Sequence, residues 1–253
     1  MASEERFGYE WGKYNALDSN YEGQFLNWTA QPKSFWEGKA VLDAGCGMGR
    51  NSYWPLQYGA ARVVAFDNDE QSLASARKTL ASFKNADVVR RDISHVEWHD
   101  EFDIAFSIGV IHHLRRPEIA LANLVRAIKP GGTLIVWVYS YEGNEWIVRF
   151  INPIRTMLTS RLPLSVVHAL AYVCSIPLYI FVKTVKGPTP YLRQLSGFSF
   201  AHIHSIVFDQ LIPAVANYWH KEEVEELARP LGLSAYTVMR PTNGMGWILT
   251  GIK

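Results

Sequence analysis

One decapeptide restricts the possible folds more than any other stretch: Val41-Leu-Asp-Ala-Gly-Cys-Gly-Met-Gly-Arg50. The apolar run Ala40-Val-Leu42 reads as a buried parallel strand, and Asp43 stands at its carboxyl end. Gly45, Gly47 and Gly49 follow at alternate positions, ahead of a helix-compatible segment. Glycines so placed let the backbone turn sharply and approach a ligand where any Cβ would clash. In an open α/β sheet, the crevice beyond the strand ends is where ligands bind. A lone G-x-G-x-G is equally an ordinary strand-to-helix turn, so the surrounding motifs must decide.

Those motifs alternate. Strand Lys39–Ala44 leads to a helix near Arg50–Gly59, and strand Arg62–Phe66, ending at Asp67, leads to a helix around Glu70–Lys84. Strand Asp87–Arg90 ends at Asp92, and strand Phe102–Ser107 is followed by Gly109 and the pair His112-His113. A helix over Pro117–Ile128 runs into Lys129-Pro-Gly-Gly132, a composition suited to a tight reversal, and Thr133–Tyr139 is the next strand. Helix Lys221–Leu231, capped by Gly232, then precedes strands Ser234–Met239 and Gly246–Ile252, which read as an antiparallel hairpin at the sheet edge. Strands alternating with helices predict right-handed βαβ units and a mostly parallel sheet. The expected architecture is α/β: a Rossmann-like, doubly wound, seven-stranded sheet with that hairpin and a helical insertion acting as a lid. Residues 1–141 and 209–253 would form the ligand-binding domain, and 142–208 the insertion.

Residues 1–37 precede the first strand and are crowded with aromatics, including Phe7, Tyr9, Trp11, Phe25, Trp28 and Trp36. They predict a helical cover, packed for the most part, that lies over the site mouth. Within the insertion, Leu162 to Val182 is almost uncharged and about as long as a membrane span. Pro163 and Pro177 argue against a continuous helix, so two buried or interfacial helices are expected, with a peripheral membrane contact or a homodimer face left open. A net charge of +1 gives no basic footprint, and no nucleic-acid partner is expected. Two cysteines build neither a disulfide nor a zinc framework; no metal is expected, and a reducing, cytoplasmic compartment is. The polar, acidic start is unlike a signal peptide.

Three aspartates, Asp43, Asp67 and Asp92, fall at the carboxyl ends of three successive predicted strands. Asp67 comes about twenty residues after the glycine loop, where nucleotide folds place a carboxylate that accepts ribose hydroxyls. Asp92 would accept from an adenine amino group, and Asp43 would face an ammonium directly or through water. A dinucleotide fingerprint wants Gly-x-Gly-x-x-Gly/Ala with pyrophosphate at the helix N-terminus, but here Arg50 takes the sixth position and Gly49 comes one residue early. A ligand with ribose, adenine and an amino-acid end, but no phosphates, suits the loop better.

Taken in order, these motifs resemble the class I S-adenosylmethionine-dependent methyltransferases. The resemblance covers most of residues 38–140 and the last two strands. It rests on Val41-Leu-Asp-Ala-Gly-Cys-Gly-Met-Gly49, Val64-Ala-Phe-Asp67, Arg91-Asp-Ile93, Phe102-Asp-Ile-Ala-Phe-Ser-Ile-Gly-Val-Ile-His-His-Leu114 and Lys129-Pro-Gly-Gly-Thr133. It implies S-adenosyl-L-methionine as cofactor. Asp43 with Gly45, Cys46, Gly47 and Gly49 would hold the methionine end, and Asp67 the ribose. Asp92 and Ile93 would take the adenine, with Phe66, Asn68 and Ile108 bordering the cofactor. A narrower similarity, carried by Phe7-Gly-Tyr-Glu-Trp11, Gln24-Phe-Leu-Asn-Trp28 and Phe208-Asp-Gln-Leu-Ile-Pro213 with Tyr218-Trp219, is to small-molecule methyltransferases of bacterial biosynthetic and surface-polysaccharide pathways.

The implied reaction is methyl transfer to an oxygen or nitrogen of a small-molecule acceptor, biosynthetic or linked to sugar or lipid. His112 and His113, just past the fourth strand, are the expected catalytic bases, His112 ahead of His113. Tyr9, Trp11, Tyr139, His204 and Tyr218, with His202, Asp209 and His220 behind them, are the expected acceptor-pocket residues. Two rivals stand beside this reading: a non-catalytic binding scaffold that kept the fold, and an NAD-dependent oxidoreductase, which the missing final glycine and Asp43 disfavour.

Overall fold

The structure, a computed structural model, describes residues 7–10, 17, 20–185 and 189–253. Its strands are β1 (Ala40–Ala44), β2 (Arg62–Asp67), β3 (Ala86–Arg90), β4 (Phe102–Ile108), β5 (Ile128–Val138), β6 (Ala235–Met239) and β7 (Trp247–Ile252). Helix α1 spans Asn20–Thr29, α2 Arg50–Gln57, α3 Glu70–Thr79 and α4 Pro117–Ala127. The insertion carries α5 (Asn152–Met157), α6 (Leu164–Val185), α7 (Pro190–Ser196) and α8 (Phe200–Leu211); α9 (Lys221–Ala228) follows.

Seven strands form one sheet in the order β3-β2-β1-β4-β5-β7-β6, with β7 antiparallel to both neighbours and the rest parallel. The expected C-terminal hairpin is present, and β7 rather than β6 pairs with β5, which leaves β6 at the edge. The strand order turns about β1, which pairs β2 on one side and β4 on the other. Ligands of such sheets sit outside the strand ends at that switch point.

Because β-strand side chains alternate between faces, β1 sends Val41 one way and Leu42 the other. Val41, Ile104 and Phe106 pack with Leu56 of α2, Leu73 and Ala76 of α3, and Phe25 and Trp28 of α1. Leu42 and Ala105 pack with Leu121 and Leu124 of α4 and Val224 of α9. The N-terminal aromatics in α1 are thus mostly packing, as expected: Trp28 stacks on Trp137 at 4.6 Å and Phe25 lies 5.1 Å from Trp36.

Two expectations change. Lys129–Gly132 is not a free turn: β5 already begins at Ile128, paired with Phe102, and pairing resumes at Thr133 opposite Ile104. The extra residues bulge from the strand, with Gly131 at φ +79°. Leu164–Val185 is one helix, not two, with Pro163 before its start and Pro177 inside it. Pro177 lacks the N–H that would bond the Val173 carbonyl. Val173 and Pro177 are both exposed, so the position where that bond is lost faces away from the core.

Candidate active site

The glycine loop is shaped by backbone bonds to the end of β2. The N–H groups of Gly45 and Cys46 both donate to the Phe66 carbonyl at 2.9 Å, and Gly47 N–H donates to Asp67 Oδ2 at 3.0 Å. Gly45 has φ +76°, and a Cβ there would lie 2.4 Å from Val110. Gly49, at φ +81°, caps α2, and a Cβ would press on Ala76 of α3 at 3.2 Å. Both positions therefore demand glycine by conformation and by space. Asp67 is fixed in turn, its Oδ1 accepting the Asp69 N–H at 3.0 Å. Asp69 also caps α3 by accepting from Ser72 N–H.

A continuous cavity of about 1080 Å³ opens at this loop. Of the expected cofactor residues, Gly45, Cys46, Gly47, Phe66, Asp67, Asn68, Asp92, Ile93 and Ile108 line it. Asp92 is held by the Ser94 N–H, which donates to its Oδ1 at 2.8 Å.

Gly49 and Asp43 stand behind the wall. Gly49 is taken up by the helix start. Asp43 was expected to face a ligand ammonium directly or through water; it is 1% exposed, accepts the Ser52 hydroxyl at 2.6 Å and does not line the cavity, which leaves no surface for the direct contact. Burial pushes its carboxyl up to about 7, Ser52 opposing this and Asp67 adding to it. An unfolded aspartate titrates near 3.9. The stabilisation from the raised pKa is therefore present below about pH 4 and lost as pH rises through about 7. Asp43→Asn removes that loss. Melting curves should show the variant gaining on the wild-type chain between about pH 4 and about pH 7 and running level with it above that. Parallel curves would mean the carboxyl is ionised throughout.

The histidine pair divides. His112 is fully buried, stacked on Tyr139 at 3.8 Å, with neither ring nitrogen bonded, and it does not reach the cavity. Burial, with His113 and Arg155 adding to it, holds it far below the usual imidazole range. It is therefore not the base expected of it. His112→Phe keeps a flat apolar ring and should leave turnover within about threefold, since removing unpaired polar atoms from a core is nearly neutral. A hundredfold loss would restore it to the chemistry.

His113 does line the cavity. Its Nδ1 lies 2.8 Å from the Val215 carbonyl, which only accepts, so Nδ1 carries the proton and Nε2 is the acceptor. Burial pulls its pKa down to about 4, so at neutral pH it is an uncharged and weak base.

A stronger candidate also lines the cavity. Asp209 on α8 accepts the Tyr139 hydroxyl at 3.1 Å. Gln210 Nε2 donates to the same hydroxyl at 2.9 Å, and the Tyr218 hydroxyl donates to Gln210 Oε1 at 3.0 Å. Tyr139 and Tyr218 stack at 5.2 Å, with the Arg155 guanidinium over the Tyr218 ring. Burial raises Asp209 to about 6, against the Tyr139 bond and the Arg50 and Arg155 charges.

Tyr139, Tyr218 and His202 line the cavity as expected; Tyr9, His204 and His220 do not. Tyr9 packs on Phe208, His204 bonds Ser175 and stacks on Tyr172, and His220 bonds Glu142 at the surface. Trp11 falls outside the described residues.

Glu10 and Arg50 were not among the expected site residues, yet both line the cavity. Glu10 accepts the Ser205 hydroxyl at 2.5 Å, and its second oxygen is buried without a partner. Burial, and Asp209 beside it, raise its carboxyl well above the ordinary range. The Arg50 guanidinium lies over the rings of Tyr21 and Trp28. Nothing in sequence spacing joins Glu10 to Ser205, 195 positions away. Phe7 also lines the cavity, and Gly8 packs against Asp69.

The residues fit a phosphate-free nucleoside. Asp67 and Asp92 offer acceptors to hydroxyl and amino groups and would repel a pyrophosphate, while Phe66, Ile93 and Ile108 supply apolar contact. Residues 42–136 match the Methyltransferase domain family. Over 116 residues the chain is 34% identical to the tRNA U34 carboxymethyltransferase of Idiomarina loihiensis, covering 44% of this chain and 36% of that protein. It is 32% identical over 111 residues to the protein of that name from Klebsiella pneumoniae subsp. pneumoniae, covering 43% and 33%. The chain thus spans about a third of the length of these curated relatives.

Among solved structures, a chain from the complex of the Haloferax volcanii Trm112 methyltransferase activator with a methyltransferase superposes with a TM-score of 0.57. Identity is 16%, over 96% of this chain and 95% of that one. The Burkholderia thailandensis 1,6-didemethyltoxoflavin-N1-methyltransferase, with bound 1,6-didemethyltoxoflavin and S-adenosylhomocysteine, gives 0.54 at 17% identity, covering 93% and 84%. These two show the shared fold. The tRNA-directed names overturn the expectation of a small-molecule acceptor and no nucleic-acid partner. That expectation rested on net charge, which averages over the whole surface and does not report a local footprint. The loop, the strand-end aspartates and the family match agree: residues 42–136 form a methyltransferase domain, and the fold is that of the class I S-adenosylmethionine-dependent methyltransferases.

Proposed function

We propose that the chain transfers the methyl group of S-adenosylmethionine to an oxygen or nitrogen nucleophile presented between Asp209, Tyr139, Tyr218 and His113. The observation that carries this is the single cavity, which joins the Gly45–Gly49 loop, Asp67 and Asp92 to the Asp209 cluster. Its volume of about 1080 Å³ leaves room for an acceptor group beside the cofactor.

When bound, the cofactor would supply a methyl group on a positively charged sulfur, which would depart as the neutral thioether of S-adenosylhomocysteine once an in-line nucleophile takes the methyl. The protein's part is positioning and exclusion of water. Asp67 and the loop fix the donor, and the stacked pair Tyr139–Tyr218 offers flat walls to the acceptor. Asp209 takes the proton that an acceptor O–H or N–H gives up, with a pKa matched to that task near neutrality. The insertion and residues 7–10 form the cover, and the proposed division into a cofactor-binding domain and a lid over 142–208 follows from that. A cytoplasmic location accompanies the proposal; Cys46 and Cys174 are free thiols.

The relatives' name puts a tRNA uridine among the acceptors to be tested. It also names a carboxymethyl group, whose carboxylate would meet Asp209 on the cavity wall. Methyl transfer avoids that repulsion.

Incubation with S-adenosylmethionine and separate pools of unmodified tRNA and cell metabolites, read as S-adenosylhomocysteine formed and as acceptor mass gained, tests the proposal. Acceptor-dependent product is expected. Cofactor binding without product from any pool would favour the non-catalytic scaffold.

A further inference from the structure

Helix α6 is apolar on two sides, and only one of them is covered. Its inner residues Leu164, Val167 and Ala171 pack against Phe208 and Leu211 of α8, and Ser175 bonds His204 across the same seam at 2.8 Å. On the outer side Val166, Leu170, Val173, Ile176 and Ile180 follow one another at helical spacing, and all are exposed, Val173 to 71%. A surface helix of a soluble protein ordinarily turns polar residues outward. Just upstream, Trp146, Phe150, Ile154 and Met157 repeat the pattern, with Met157 exposed to 73%. Of the sixteen large hydrophobic side chains exposed among the described residues, thirteen lie between Trp146 and Val185. Apolar patches so concentrated mark interaction surfaces.

Charge separates the kinds of partner. From Trp146 to Phe208 there is no Asp or Glu, whereas Arg149, Arg155, Arg161, Lys183, Lys186 and Arg193 fall within the stretch. The rest of the chain carries an excess of acids over bases. Arg149, Arg161 and Lys183 are exposed beside the apolar residues. A phosphate backbone would use the cations but leave the aliphatic stripe in water, and two copies of this face would bring like charges together. An anionic lipid surface satisfies both the stripe and the cations.

We infer that the outer face of α6, with the exposed residues of 146–158, docks the protein on an anionic lipid bilayer. At 22 residues α6 has the length and composition to cross a membrane, but its inner face is tied to α8, so it lies on the surface. Trp146 and Leu178 also line the cavity, so docking sets that wall of the cavity near the bilayer.

Flotation of the whole chain with phosphatidylcholine vesicles, with and without phosphatidylglycerol, tests the inference. The wild-type chain should float with the anionic vesicles and less so as salt is raised. Val173→Asp with Ile180→Asp should cut the bound fraction at least about tenfold, while S-adenosylmethionine affinity, a check on folding, stays unchanged. Arg149→Gln with Arg161→Gln should remove the preference for anionic vesicles. A wild-type chain that floats with neither vesicle overturns the inference. So does a soluble dimer that Val173→Asp dissociates without any vesicle binding, or tRNA binding through Arg149 and Arg161 in its place.

Discussion

Asp67→Ala is expected to weaken S-adenosylmethionine binding by at least about tenfold, since hydrogen bonds to a charged group contribute about 1.5–3 kcal/mol. The side chain has two duties. It lines the cavity at the end of β2, and it anchors the Gly47 and Asp69 N–H groups. Removing it takes an acceptor from the ligand and a brace from the glycine loop together. Asp67→Asn, which keeps an oxygen for one of these roles, should fall between. Calorimetric titration reads both. Unchanged affinity in Asp67→Ala would mean that the crevice does not hold the ribose.

Asp209→Asn should lower turnover by about a hundredfold or more, the usual contribution of a positioned base, with cofactor affinity little changed. Asparagine still accepts the Tyr139 hydroxyl but takes no proton. The pH profile separates base from brace. With a carboxyl raised to about 6, wild-type activity climbs as pH rises through that value, because the ionised form is the base. In Asp209→Asn that limb should vanish. If turnover falls while the limb remains, Asp209 only positions Tyr139 and another group takes the proton. His113, held near 4, would place the limb lower.

The cofactor half of the site was legible because local chemistry dictates it. Positive φ at Gly45 and Gly49 and an acceptor at the end of β2 are needs of a few adjacent residues, and those needs leave a pattern in the sequence. Asp43 misled in part: a carboxylate at a strand end reads as a ligand contact, but Ser52, nine positions on in α2, turned out to claim it from behind. The acceptor half depends on pairings between distant segments. Asp209 meets Tyr139 across 70 positions, and Glu10 meets Ser205 across 195. His112 and His113 are adjacent in sequence, yet only the fold turns one to the cavity and buries the other. In the fold itself, the alternation of strands and helices carried the sheet, because period and turn residues are local signals. Pro177 did not end α6, because its missing bond falls on the exposed face.

Calorimetric titration of the whole chain with S-adenosylmethionine, and separately with NAD, is the most direct measurement of what the glycine loop holds. Saturable binding of the first near one equivalent, with no heat from the second, is the predicted result. Absence of S-adenosylmethionine binding at millimolar concentration, or tighter binding of NAD, would contradict the account.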